Sequence, residues 1–88
     1  MNERRRHPRL PLSIEVKITH DSLKSVVLLT RDISEGGIFV VTDGQQLPPV
    51  GTKITGQVQS PLTEMPVVVM EVVRIEPEGV GLRFIEED

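Results

Sequence analysis

Apolar and polar residues alternate with a period of two along several segments of this 88-residue chain. The clearest alternation runs from Ser13 to His20, where Ile14, Val16 and Ile18 are separated by polar side chains. Because successive side chains of a β-strand point to opposite faces, this pattern predicts a strand with one buried and one solvated face.

Five further segments rich in β-branched residues predict strands over residues 25–31, 37–42, 53–59, 67–75 and 80–85. We expect the strand at 67–75 to be the longest. Asp43-Gly44 is typical of tight hairpin turns, and Pro77-Glu78-Gly79 predicts another turn. No window of eleven or more residues carries a capped apolar repeat of 3.6 residues, so the pattern indicates an all-β protein.

Six short strands separated by turn signals favour a closed barrel or a sandwich. A barrel is favoured because six strands in an open sheet would leave unpaired edges. A chain of 88 residues has room for one core. Pro8 and Pro11 interrupt a polar first segment, which predicts a flexible basic arm over residues 1–12 and a barrel over 13–88.

The composition excludes several function classes. The chain has no cysteine, and its aromatic residues are Phe39 and Phe84. With a net charge of −3 and few stacking side chains, it does not resemble a binder of nucleic-acid polymers. The two histidines, His7 and His20, are not spaced as in a metal site or a catalytic triad, so we expect neither an enzyme nor a metal site.

The hydrophobic segments are too short for a membrane protein. The longest aliphatic runs, Val26–Leu29 and Val67–Met70, are far below the length of a membrane span. No apolar stretch follows the N-terminal charges as in a secretory signal, so we expect a cytoplasmic protein without membrane insertion.

Positive charge is concentrated at the N-terminus, where Arg4, Arg5, Arg6 and Arg9 lie, whereas the chain ends with Glu86-Glu87-Asp88. This asymmetry predicts a local anion site, with Arg5-x-x-x-Arg9 as its core. A solvated arm would show the same cluster, so the arginines alone leave both interpretations open.

A second polar motif, Asp32-x-Ser34-x-x-Gly37, lies between two predicted strands. Arginines bind phosphates and the Hoogsteen edge of guanine, while a carboxylate accepts from guanine N–H groups. The two motifs together therefore suggest a pocket for a small anionic guanine nucleotide. The alternative is a purely structural turn, in which Gly36 and Gly37 supply positive φ angles.

The two motifs in this order resemble the hallmark of PilZ domains, bacterial receptor modules for cyclic di-GMP. Gly79-Val80-Gly81-Leu82-Arg83-Phe84 is similar to the last strand of that family, so the resemblance covers Arg5 to Phe84. It implies a six-stranded antiparallel β-barrel. Family members often end in a helix, whereas this sequence stops at Asp88, so we expect little or no C-terminal helix.

The resemblance also implies roles for individual residues. Arg5 and Arg9 would hold guanine edges and phosphates from the arm, and Asp32 and Ser34 would hold the other guanine from the barrel. Gly37, with Gly36 beside it, would let the backbone approach the ligand closely. Arg4 would accompany binding of a stacked pair of ligand molecules, although a solvated surface arginine is an equal alternative.

The expected ligand is therefore cyclic di-GMP, without a further cofactor. Binding would order the arm and pass the signal to an unidentified downstream protein, and a homodimer is plausible. One alternative is a PilZ-like protein-interaction adaptor that binds no nucleotide, which the intact arginines disfavour. Another, a small barrel for RNA or single-stranded DNA, lacks the basic face and the aromatic residues that it would need.

Overall fold

Six β-strands form the part of the chain that the computed structural model describes, residues 11–21 and 23–85. They are β1 (Glu15–His20), β2 (Leu23–Ile33), β3 (Gly37–Val41), β4 (Lys53–Val58), β5 (Val67–Glu76) and β6 (Gly79–Phe84). No helix occurs in these two ranges. The prediction of an all-β chain with six strands is confirmed.

The strands close into a barrel in the order β1-β2-β3-β6-β5-β4, and every neighbouring pair is antiparallel. Pairing of β1 with β4 completes the ring, because Val16 lies opposite Val58 and Thr19 opposite Thr55. Closure leaves no free sheet edge, which is the physical reason why a barrel was expected over an open sheet. The six-stranded antiparallel barrel is confirmed.

The barrel interior is aliphatic. Ile18 and Val16, predicted to face the core, are 0% and 3% exposed, and Ile14 packs partly buried against them. The buried core residues come from all six strands and one loop: Val16, Ile18, Leu28, Ile38, Val40, Leu47, Ile54, Met70, Val72, Val80 and Leu82. The period-two pattern thus identified the inward face of β1 correctly.

The longest strand is β2, with 11 residues, and the expectation that the segment at 67–75 would be longest is wrong, since β5 has 10. The prediction ended β2 at Arg31, before the polar Asp32. In the structure Asp32 and Ile33 still pair with Phe39 and Ile38 of β3. A charged residue on the outer wall of a barrel does not end the strand.

The turn at Asp43-Gly44 is present, but it does not connect a hairpin. Both residues have positive φ, 49° and 88°, and the Gln45 N–H donates to the Thr42 carbonyl over 2.9 Å. However, β3 and β4 are on opposite sides of the ring, so residues 42–52 cross one end of the barrel and bury Leu47 there. Pro77-Glu78, by contrast, does join the paired strands β5 and β6.

The predicted boundary between the arm (1–12) and the barrel (13–88) stays a prediction, because residues 1–10 lie outside the described part. Residues 11–14 have no regular secondary structure, and β1 begins at Glu15. Residues 86–88 also lie outside the description. Within the described ranges, no helix is long and apolar enough to cross a membrane.

Candidate functional site

A β-bulge near the end of β2 places Asp32 on the outer wall of the barrel. Thr30 pairs with Val40 and Asp32 with Phe39, so Arg31 is an extra residue between two consecutive pairs. Without the bulge, period-two alternation from the buried Thr30 would turn Asp32 inward. With it, Ile33 packs against the core and the Asp32 side chain stays 16% exposed.

Arg31 holds the Asp32 carboxylate from one side. Its Nε lies 3.3 Å from Asp32 Oδ2, and its Nη1 lies 3.4 Å from Glu78 Oε2. The same guanidinium lies over the Phe39 ring, 3.8 Å from its centroid. Two ion pairs and a cation–π contact therefore fix the cation beside Asp32.

Phe39 is buried on the outside of the barrel. It is 1% exposed, yet it does not belong to the core cluster, which contains its neighbours Ile38 and Val40. The guanidinium of Arg74 on β5 also faces this ring, 5.4 Å from the centroid. The ring thus sits between two cations next to Asp32, an arrangement that the sequence analysis missed.

Ser34 shapes the turn between β2 and β3. Its N–H donates to the Gly37 carbonyl over 2.9 Å, and its Oγ accepts from the Gly36 N–H over 3.2 Å. The hydroxyl also lies 3.4 Å from the Gly37 carbonyl, a long hydrogen bond. Since a hydroxyl has two lone pairs, Ser34 keeps acceptor capacity for a ligand while it stabilises the turn.

Gly37 is required by strand packing and not by its φ angle. The positive-φ glycines among the described residues are Gly44 and Gly51, so the expectation that Gly36 and Gly37 supply positive φ is wrong. A Cβ built on Gly37 would lie 2.0 Å from the Leu82 carbonyl oxygen of β6. The missing side chain lets the turn approach the neighbouring strand closely.

These residues border one cavity of about 170 Å³, which we call the outer cavity. One wall is the turn from Asp32 to Gly37, and the other belongs to β5 and β6. The lining residues are Asp32, Ser34, Gly36, Gly37, Ile38, Phe39, Val73, Arg74, Gly81, Leu82 and Arg83. The structure therefore brings together the four barrel residues that the sequence predicted, while Arg4, Arg5 and Arg9 lie outside the described residues.

Arg74 and Arg83 place two guanidiniums along the outer cavity, each paired with a glutamate, and the sequence motifs did not indicate them. Arg74 Nε lies 2.7 Å from Glu76 Oε2, and Arg83 forms an ion pair with Glu71. Gly81 lies beneath Arg74, because a Cβ there would be 3.4 Å from Arg74 Cβ and 3.6 Å from its Nε. Arg83 alternates with core residues in β6, a pattern that could have marked it as outward-facing.

The outer cavity thus combines one carboxylate, one hydroxyl and two guanidiniums on the outside of a closed barrel. Such a set can recognise a group that carries both hydrogen-bond donors and negative charge. The described residues contain no cluster of three or more histidine, aspartate or glutamate side chains that could hold a metal ion. The protein is thus a small six-stranded antiparallel β-barrel with a polar and charged cavity on its outer wall.

The chain belongs to the PilZ domain family, whose model matches residues 3–88. PilZ domains form a family of cyclic di-GMP receptors, and they are binding modules rather than enzymes. The resemblance stated from the two motifs is confirmed at the level of the family. No curated protein matches the chain.

The solved structures with a similar fold include two that each match more than nine-tenths of this chain. The Bacillus subtilis inhibitor of motility (MotI/DgrA) matches with a TM-score of 0.76 at 23% identity, over 99% of this chain and 45% of that protein. This chain thus spans less than half of that protein. The PilZ domain of CeSA from a cellulose-synthesizing bacterium matches with a TM-score of 0.75 at 17% identity, over 92% of this chain and 83% of that one. At these identities the matches show the shared fold alone.

Proposed function

We propose that this protein is a receptor for cyclic di-GMP, bound on the outer wall of the barrel between the outer cavity and the arginines of the N-terminal arm. The observation that carries the proposal is the convergence of the motif residues at 32–37 on one cavity, opposite Arg74 and Arg83. A turn with a purely structural role would not require two guanidiniums across the cavity from it.

The chemistry of the outer cavity is complementary to a guanine nucleotide. A carboxylate has about four lone-pair sites, so Asp32 can accept from guanine N–H groups while it remains paired with Arg31. Arg74 and Arg83 supply donors suited to guanine N7 and O6 or to a phosphate. Ser34 adds a hydroxyl at the rim.

The size of the outer cavity supports a site made of two halves. Its volume of about 170 Å³ is below the roughly 300–1,000 Å³ of pockets that enclose a drug-sized ligand. The cavity therefore suits one base of a dinucleotide, and the rest of the ligand requires a second protein surface. Arg5 and Arg9 are the candidates for that surface, and Arg4 would join them if two stacked ligand molecules bind.

Binding would change the surface that the arm presents, and a downstream protein would read that change. A receptor of this kind for an intracellular messenger acts in the cytoplasm. The signal then depends on contacts between the liganded arm and its partner.

Isothermal titration calorimetry with cyclic di-GMP tests the proposal. We expect saturable binding, and at least tenfold weaker binding of GMP, which has one base and one phosphate. Asp32→Asn should weaken binding at least tenfold, because a hydrogen bond to a charged group contributes about 1.5–3 kcal/mol. Arg9→Ala should weaken it similarly.

Asp21→Asn is the matched control, because Asp21 is exposed in the β1–β2 turn at the other end of β2. This variant should bind cyclic di-GMP as tightly as the wild type does. Wild-type protein that gives no heat at tens of micromolar ligand would contradict the receptor proposal and favour the adaptor. A stoichiometry of two ligands per chain would support the role of Arg4.

A further inference from the structure

Arg31 is the extra residue of the bulge in β2, and it does not line the outer cavity. Its guanidinium has three partners: the Asp32 carboxylate at 3.3 Å, the Glu78 carboxylate at 3.4 Å and the Phe39 ring, whose centroid is 3.8 Å away. These partners come from β2, the β5–β6 turn and β3. Three separate segments thus determine where this side chain lies, although 42% of it is exposed.

The Phe39 ring is a fixed support for Arg31. The ring is 1% exposed and packs against Gly79 of β6, where a Cβ would lie 2.4 Å from Phe39 Cε1. A ring packed this closely has little room to move, so the guanidinium stacked on it has a defined orientation. Arginine is suited to this support, because its planar guanidinium stacks on an aromatic face and still donates hydrogen bonds from its edge.

We propose that Arg31 is a positioning residue for Asp32, and that it thereby sets the preference of the outer cavity for a base with two adjacent N–H donors, as in guanine. This inference rests on the proposed function. Arg31 Nε approaches Asp32 Oδ2, and a carboxylate has about four lone-pair sites, so both oxygens keep acceptor capacity. Because Asp32 lines the outer cavity, holding its carboxylate in one orientation directs that capacity at the ligand.

The surroundings of this ion pair make it more than an ordinary surface contact. Exposed ion pairs are individually weak, because solvent screens them and side-chain entropy opposes them. Here the Asp32 side chain is 16% exposed, and Phe39 and Glu78 already order Arg31. The contact with Asp32 therefore needs little further ordering, and we expect loss of Arg31 to weaken ligand binding about three- to fivefold.

The test is a double-mutant cycle of Arg31→Gln and Asp32→Asn, measured by calorimetry with cyclic di-GMP. In the Asp32→Asn background, no carboxylate remains for Arg31 to position. Lys24→Gln is the matched control, because it also removes one positive charge from β2, at an exposed position near the start of that strand. Each protein is also titrated with cyclic di-IMP, whose hypoxanthine bases lack the 2-amino group of guanine. Urea unfolding gives the folded fraction.

We expect Arg31→Gln to weaken cyclic di-GMP binding about three- to fivefold when Asp32 is present, and by less than about twofold in the Asp32→Asn background. It should also lower the ratio of the affinities for cyclic di-GMP and cyclic di-IMP, since the carboxylate no longer holds both N–H donors at once. That ratio does not depend on the folded fraction, so it remains decisive if Arg31→Gln is destabilised. Lys24→Gln should change neither the affinity nor the ratio.

The inference is overturned if folded Arg31→Gln binds cyclic di-GMP as tightly as the wild type, or if its effect is the same in the Asp32→Asn background. An unchanged ratio of the two ligand affinities overturns it as well, and so does an equal loss of affinity in Lys24→Gln. Wild-type protein that binds no cyclic di-GMP would instead refute the proposed function.

Discussion

At the scale of single residues, the glycine of the second motif has a structural duty beside any contact with a ligand. Its place in the motif predicts ligand approach or a positive φ angle for Gly37. The structure excludes the positive φ and shows that the missing side chain makes room for the Leu82 carbonyl of β6. A single sequence cannot reveal this reason, because it depends on a strand that pairs with β3 from more than forty residues away.

We expect Gly37→Ala to destabilise the barrel by about 1–3 kcal/mol, because the new Cβ would lie 2.0 Å from a backbone oxygen that cannot move aside. Gly81→Ala is the matched control, since the nearest atom to its Cβ is Arg74 Cβ at 3.4 Å, an ordinary contact. Urea unfolding of both variants measures the difference. Equal stability of the two variants would contradict the close approach of the turn to β6.

Other features at the residue scale were also hidden from the sequence. Phe39 lies between apolar residues, a context that predicts a core side chain. In the structure it faces outward between the guanidiniums of Arg31 and Arg74. Its burial depends on the tertiary arrangement of two other strands. The Asp32, Ser34 and Gly37 motif, by contrast, was local in sequence, and for that reason it could be found.

At the scale of strands and turns, the period-two pattern succeeded where strands are regular and failed where they are not. It identified the inward face of β1 from Ile14, Val16 and Ile18. It did not identify the bulge at Arg31, because an extra residue changes the phase of alternation. That bulge is what keeps Asp32 on the outer wall.

The turn after β3 gives a test at this scale. Asp43 has φ of 49°, a conformation that β-branched residues avoid and that asparagine tolerates. We expect Asp43→Val to lower the free energy of unfolding by about 1–3 kcal/mol, while Asp43→Asn leaves it nearly unchanged. Thermal unfolding of the pair checks this, and equal melting temperatures would contradict the left-handed turn.

At the scale of the whole molecule, closure of the barrel joins every strand to two neighbours around one aliphatic core. The number of strands and the preference for a barrel could be predicted from sequence, since turn signals and apolar alternation are local. The strand order could not, because the Asp43-Gly44 turn suggested a hairpin that the ring does not contain.

A closed ring should unfold as one cooperative unit, since no strand can leave without breaking two ladders. We expect a single transition with equal calorimetric and van't Hoff enthalpies of about 60 kcal/mol, the value typical for a domain of this size. Scanning calorimetry combined with far-UV circular dichroism checks this. Two separate transitions would contradict a single core.

The location of the ligand can be tested by an NMR titration of ¹⁵N-labelled protein with cyclic di-GMP. We expect saturable shifts of the backbone amides around the outer cavity, at residues 32–37 and 81–83. Amides of the β1–β2 turn, such as Asp21, should stay unchanged. Shifts that avoid residues 32–37, or no shifts at saturating ligand, would rule out binding at the outer cavity.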